Sequence, residues 1–208
     1  MKNETEVFNL FLDEESIYLY QHEPIRQGNF VYACNNHVMA RVFANITEGE
    51  YWKVQYPDLS IAFIDTVNKR VLTRKFIKDS MSKAPLVDET METDELLPCE
   101  VCKGRGQVTW TFEDYEKKDD CPACNGSGYS IEHKRVPTGN KIPDPEFKIK
   151  IENKTFRLEL VKVLFTAMEL AGVNKVTMHY NNSTCNEQSI FNLTPYIDVV
   201  IMPIKDEN

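Results

Sequence analysis

Between Phe156 and Ala171 the apolar positions recur with a helical period: Leu158, Val161, Phe165 and Met168 share one face, and Leu160, Leu164 and Ala171 widen it. Gly172 follows, where a helix is commonly capped. Just upstream, Phe147 to Ile151 alternates apolar with polar residues and predicts a strand. Downstream come three β-rich runs, 175–180, 188–193 and 196–202. Asn181-Asn182-Ser183 and Thr194-Pro195 join them, connections of antiparallel hairpin length. The predicted order from residue 146 onward is strand, helix, three-stranded meander, with His179 as an ordinary strand residue.

The N-terminal part is patterned less regularly. Residues 4–12 fit either a short helix or an opening strand, and helix is preferred. Two β-rich runs, Asn29 to Cys34 and His37 to Phe43, flank Asn35-Asn36 and read as a tight hairpin, because Asn tolerates the left-handed conformation. His37 then faces solvent. Tyr56-Pro57-Asp58 opens a fresh segment, and Ile61 to Ile64 predicts a strand. In residues 69–83, Val71, Leu72, Phe76 and Ile77 form an apolar stripe, with Arg70, Arg74, Lys75 and Lys78 on the other side. This predicts an amphipathic helix with one cationic face.

Composition changes the picture twice. The chain of 208 residues carries a formal charge of −8, which argues against nucleic-acid binding over its whole surface. Yet residues 69–83 hold six basic side chains against Asp79 alone, so the charge is polarised. Residues 84–98 hold Asp88, Glu89, Glu92, Asp94 and Glu95 and no basic residue, between Pro85 and Pro98, and read as an acidic linker. Residues 134–145, with Pro137, Gly139, Pro143 and Pro145, read as a return linker. The expected layout is residues 1–83, linker 84–98, a small module at 99–133, linker 134–145 and residues 146–208. No apolar run reaches the ~20 residues of a membrane span. The opening Met1-Lys2-Asn3-Glu4 lacks the apolar stretch of a signal peptide, so the expected compartment is the cytoplasm.

The module between the linkers carries the chemistry. Cys99-Glu-Val-Cys102-Lys-Gly104-Arg-Gly106 returns as Cys121-Pro-Ala-Cys124-Asn-Gly126-Ser-Gly128. Four thiolates in two Cys-x-x-Cys pairs can close a tetrahedron around one structural zinc. Paired disulfides would need an oxidising compartment, and a redox dithiol calls for one such pair near a βαβ pattern. Gln107 to Phe112 is expected as one arm of a hairpin joining the two knuckles, with Trp110 supplying the small core rather than a contact surface. Cys34 and Cys185, outside the repeat, read as small buried hydrophobes.

The Cys-x-x-Cys-x-Gly-x-Gly repeat resembles the cysteine-rich zinc domain of DnaJ-type co-chaperones, over residues 99–128 only. This chain has two repeats where that family has four, and no His-Pro-Asp tripeptide of a J domain. The resemblance implies zinc ligation by Cys99, Cys102, Cys121 and Cys124. A second resemblance is to the bacterial replicative sliding clamp. It rests on the ending Tyr196-Ile-Asp-Val-Val-Ile-Met-Pro-Ile204, on Phe30 to Val42 with Ala33-Cys-Asn-Asn-His37, and on Tyr56-Pro57. It implies an α+β, DNA-clamp-like domain of two halves, each a helix on an antiparallel sheet, with the zinc-binding hairpin inserted between them. A clamp ring needs several such domains, so the chain either oligomerises or keeps the fold without the ring.

The resulting expectation is a non-enzymatic accessory protein with one structural Zn²⁺. Arg70, Arg74, Lys75 and Lys78 would contact DNA phosphates, and the zinc module would meet replication or other proteins. A DnaJ-like folding or redox factor and a protein-docking scaffold are the alternatives. Hydrolase and transferase motifs are absent: the four His residues form no His-x-x-x-His pair, and there is no phosphate-binding Gly-x-x-x-x-Gly-Lys loop.

Overall fold

A computed structural model describes residues 4–47, 49–53, 57–63, 66–181 and 188–204. The chain divides into two compact units, Met1–Pro85 with Pro143–Asn208, and Leu86–Ile142. No helix among the described residues is long and apolar enough to cross a membrane.

The larger unit is built on one eight-stranded sheet. Its strands are β1 (Ile25–Gln27), β2 (Phe30–Cys34), β3 (Val38–Phe43), β4 (Trp52–Lys53) and β5 (Asn68–Thr73). From the second segment come β12 (Lys175–Tyr180), β13 (Ser189–Thr194) and β14 (Ile197–Ile201), and the spatial order is β4-β1-β2-β3-β14-β13-β12-β5. The two segments meet where β14 pairs antiparallel with β3, Ile197 against Val42 through Ile201 against Val38. Strict alternation along these strands sends one set of side chains to a common face: Val31 and Ala33, Val38, Ala40 and Val42, Val199 and Ile201, Phe191, Met178, and Leu72. On that core pack α1 (Glu4–Asn9), α2 (Arg74–Met81), α3 (Leu158–Leu170) and the hairpin of β10 (Lys148–Ile151) with β11 (Lys154–Arg157). The opposite face is smaller and more aromatic, Ile25, Tyr32, Cys34 and Leu59 with Tyr20, Phe30, Met39 and Phe63 against them.

The predicted hairpin at 29–43 and the C-terminal meander are present. Asn35 sets the first turn with its side chain, whose oxygen accepts from the amides of His37 and Val38, both at 2.9 Å, and His37 is exposed. Gly172 closes α3, donating its amide to Glu169 at 3.0 Å. Four expectations are corrected. Residues 69–83 are not one helix: Asn68–Thr73 forms the edge strand β5, paired along its length with β12, and the helix starts only after Thr73, whose hydroxyl accepts from the Phe76 amide at 3.1 Å. Leu59–Ala62 is a 3₁₀ turn capped by Asp58, not the start of a strand, and Ile61 is exposed. The helix expected from Phe156 begins at Leu158, since Lys154–Arg157 pairs with β10. Tyr56, Ile64, Cys185 and the Asn182-Ser183 connection lie outside the described residues.

Both expected linkers are extended strands instead. Residues 84–98 and 134–145 contribute to a ribbon of two long strands, β6 (Leu86–Pro98) and β9 (Tyr129–Pro143). Four of the five acidic residues between 84 and 98 find basic partners on β9, and Glu89 accepts from Thr138 and Asn140. Asp88 pairs with Lys141 at 2.6 Å, Glu92 with Arg135 at 3.0 Å, Asp94 with His133 at 2.7 Å, and Glu95 with Lys134. A charge run that looks unpartnered in sequence is one half of a ladder whose partners lie 39 to 53 residues apart along the chain. At the ribbon's end, β7 (Gln107–Phe112) and β8 (Tyr115–Asp120) form the expected hairpin.

Candidate metal centre and cationic cleft

The four repeat cysteines converge in the smaller unit. Their sulfurs all lie within 4.8 Å of one another, with Cys99 Sγ 3.9 Å from Cys121 Sγ and Cys102 Sγ 3.8 Å from Cys124 Sγ. A tetrahedron with Zn–S bonds of about 2.3 Å has S···S edges of about 3.8 Å. The donor set therefore fits a single thiophilic ion.

The two knuckles are related by an approximate two-fold. Each second cysteine accepts an amide four residues on, Gly106 to Cys102 Sγ at 3.3 Å and Gly128 to Cys124 Sγ at 3.2 Å. The following residue is left-handed in both, Lys103 at φ 53° and Asn125 at φ 48°. Across the pair, the Cys99 amide donates to the Gly128 carbonyl and the Cys121 amide to the Gly106 carbonyl, each at 2.8 Å. A Cβ on Gly128 would stand 2.6 Å from the Gly104 carbonyl oxygen, and one on Gly106 would collide with that of Gly126. These glycines are set by close backbone approach as well as by positive φ.

Cys99, Cys102 and Cys121 are buried and Cys124 is partly so, with Val108 packed against them. Burial pushes the Cys121 thiol up to about 11. Burial also opposes ionisation of Cys124, but the Gly128 amide and the neighbouring sulfurs outweigh it and hold that thiol at about 7. The Cys124 thiolate is thus readily formed at neutral pH, and a bound cation is what would bring Cys121 to the charged form. Trp110, expected in the module's core, is exposed instead, because the sulfurs and Val108 already fill the interior.

In the larger unit the four predicted phosphate contacts separate. Arg74, Lys75 and Lys78 line one cavity of about 480 Å³ between the start of α2 and the end of α3, together with Thr73, Phe165, Glu169, Asn174 and Lys175. Arg70 does not join them. As part of β5 it pairs with Glu152 and lies over the Phe76 ring, 5.6 Å from its centroid. Lys175, absent from the sequence-based set, enters because β12 starts beside Thr73. Asn174 holds the junction, its carbonyl accepting the Arg74 amide at 2.9 Å. Among the described residues none of Arg74, Lys75, Lys78 and Lys175 forms an ion pair. Four cations facing one cleft, with Glu169 as the one acidic lining residue, suit an anion.

No family model matches the chain, and no curated protein sequence matches it. Its structural neighbours are DNA polymerase sliding clamps. The chain is similar to the DNA polymerase sliding clamp of Pseudomonas aeruginosa at 11% identity and a TM-score of 0.48, and to that of Caulobacter crescentus at 10% and 0.48. It is similar also to the H. pylori beta clamp, at 10% and 0.49. In each case 97% of this chain aligns with 64% of the other, so the chain spans less than two-thirds of the length of these proteins.

Proposed function

We propose that this chain is a non-enzymatic zinc-binding protein that associates with nucleic acid, using Arg74, Lys75, Lys78 and Lys175 to hold backbone phosphates. The observation that carries the reading is the cleft: three side chains singled out by their spacing along the sequence gather with a fourth around one cavity and have no ion-pair partner among the described residues. Contacts of this kind position a nucleic-acid backbone without reading its sequence.

Zinc is the metal best matched to four thiolates at tetrahedral spacing. When bound it supplies a cross-link between the knuckles. Four protein sulfurs leave no open position for water or substrate, so the centre stabilises the module rather than performing a reaction. The resemblance of the closing strand to sliding clamps is consistent with a role beside DNA, and the DnaJ-type repeat would instead imply a client-holding role.

Fluorescence anisotropy of a labelled 20-base-pair duplex separates these. Binding at low salt that is lost in the Arg74→Glu, Lys75→Glu, Lys78→Glu variant supports the phosphate reading. No binding by the wild-type chain at low salt overturns it, and suppression of client aggregation by the zinc-loaded chain would then favour the folding-factor role.

A further inference from the structure

A second cavity, of about 210 Å³, lies on the smaller unit. It is lined by Val101 and Pro122, one residue from inside each Cys-x-x-Cys, and by Val108, Thr109 and Trp110 of β7. Val108 and Trp110 point to one face of the hairpin and Thr109 to the other. A cavity touching all three therefore runs along the outer edge of β7. That edge is unpaired: among the described residues β7 has β8 as its only strand neighbour. Strand edges of this kind accept a further strand, with main-chain bonds giving affinity and pockets for alternate side chains giving specificity.

The side chains around the edge are apolar and open. Val101 is 60% exposed, Trp110 56% and Phe112 75%. In so small a unit this is not core left over from folding, since the sulfurs and Val108 occupy the interior. The surrounding charge is negative. The hairpin and its turn carry Glu113, Asp114, Glu116, Asp119 and Asp120 against Lys117 and Lys118, and Lys117 is already paired with Asp119 at 2.9 Å. Glu100 adjoins Val101, while the same knuckle carries Lys103 and Arg105, the latter donating to the Cys102 carbonyl at 3.0 Å; four thiolates around one divalent ion leave the centre itself anionic, so the module stays net negative.

We propose that this edge docks an extended peptide segment of a partner protein, one large apolar side chain filling the cavity between Val101 and Trp110, with lysine or arginine on either side meeting the hairpin's carboxylates. A nucleic-acid strand would bring phosphates against those carboxylates, and a second copy of the hairpin would bring like charge against like. The docking edge belongs to the metal module alone and does not depend on the phosphate reading of the larger unit.

The test uses the full zinc-loaded chain and three fluorescein-labelled heptapeptides: Lys-Thr-Lys-Leu-Lys-Thr-Lys, the same with Ser for Leu, and the same with Glu for every Lys. Anisotropy is expected to show the first binding at least about tenfold more tightly than either other. Trp110→Ala and Val101→Gln should each weaken it by about tenfold or more while metal content stays at one per chain, and Lys78→Glu should leave it unchanged. Should Trp110→Ala lose metal, Val101→Gln carries the comparison. Equal binding of the Leu and Ser peptides, or indifference to both variants, overturns the proposal, as does failure of the first peptide to bind. Displacement of the peptide by an oligothymidine would overturn it in favour of nucleic acid. A sedimentation shift of the unliganded chain abolished by Val101→Gln would overturn it in favour of self-association.

Discussion

The Cys99 amide donates to the Gly128 carbonyl at 2.8 Å, tying the first residue of one knuckle to the last residue of the other. Cys121 and Gly106 repeat the bond in the opposite sense. Backbone hydrogen bonds therefore cross-link the two loops alongside the sulfur cluster, and their glycines sit where the chains are closest. Gly128→Ala adds a Cβ 2.6 Å from a carbonyl oxygen that has no flexible side chain to yield. With the added cost of a left-handed alanine, a penalty on the order of 2 kcal/mol falls on the metal-binding arrangement, equivalent to about a thirtyfold loss of metal affinity. Gly139, also left-handed, has open space around it, so Gly139→Ala carries the backbone strain without the collision and is expected to cost less metal affinity than Gly128→Ala. Competition against a chromophoric zinc chelator measures both.

Removing the metal should unfold the smaller unit selectively. Its interior consists of cysteine sulfur and Val108, and β6 with β9 is a two-stranded ribbon of mostly exposed residues. Such ribbons are marginal in water on their own. The larger unit has an independent core of strands and helices. Treatment with a strong zinc chelator is expected to abolish amide-exchange protection across 99–128 while strands β2, β3, β12, β13 and β14 keep theirs. Uniform loss of protection in both units would contradict this.

The cysteine cluster was legible because its spacing is the chemistry: two Cys-x-x-Cys pairs that could hold a metal ion need no knowledge of what lies between. The helix α3 and the meander after it were legible from period alone. Three things were not. The acidic run of β6 looked like a linker, since its partners on β9 are separated from it by the whole metal module. Residues 69–73 carry an apolar spacing that a helix and an edge strand share, and only the pairing with β12 decides between them. Lys175 lies a hundred residues from Lys75, and no local pattern connects it to the cleft. In each case a long-range pairing supplied what a window of ten residues could not.

The division of the basic residues has a direct consequence for the proposed nucleic-acid binding. Arg74, Lys75, Lys78 and Lys175 face the cleft, whereas Arg70 is engaged by Glu152 and Phe76. If three or four phosphates are neutralised, the slope of log affinity against log salt is about −2.7 to −3.6, a loss of roughly 40- to 150-fold between 50 and 200 mM salt. Lys175→Ala should flatten the slope by about one. Arg70→Ala should leave it unchanged. A salt titration of duplex affinity for the three proteins distinguishes the cleft from a contact surface along the whole run 69–83.

Cys34 provides a pH-dependent test of the larger unit's second face. It lies beneath the sheet among Ile25, Tyr32 and Leu59, and burial raises its thiol to about 11 from an ordinary value near 9. The fold thus favours the neutral thiol. The stability this contributes is fully present below about pH 9, where the unfolded chain is also protonated, and is lost as pH rises from about 9 to 11. Cys34→Ser keeps a small side chain but removes that titration. Comparison of urea unfolding at pH 8 and pH 10.5, with the metal module held saturated, should show the wild type losing more stability than the variant. At pH 8 the native thiol should resist alkylation by iodoacetamide while the urea-unfolded chain reacts. Rapid alkylation in the native state would place Cys34 outside the cluster that Tyr32 and Leu59 enclose.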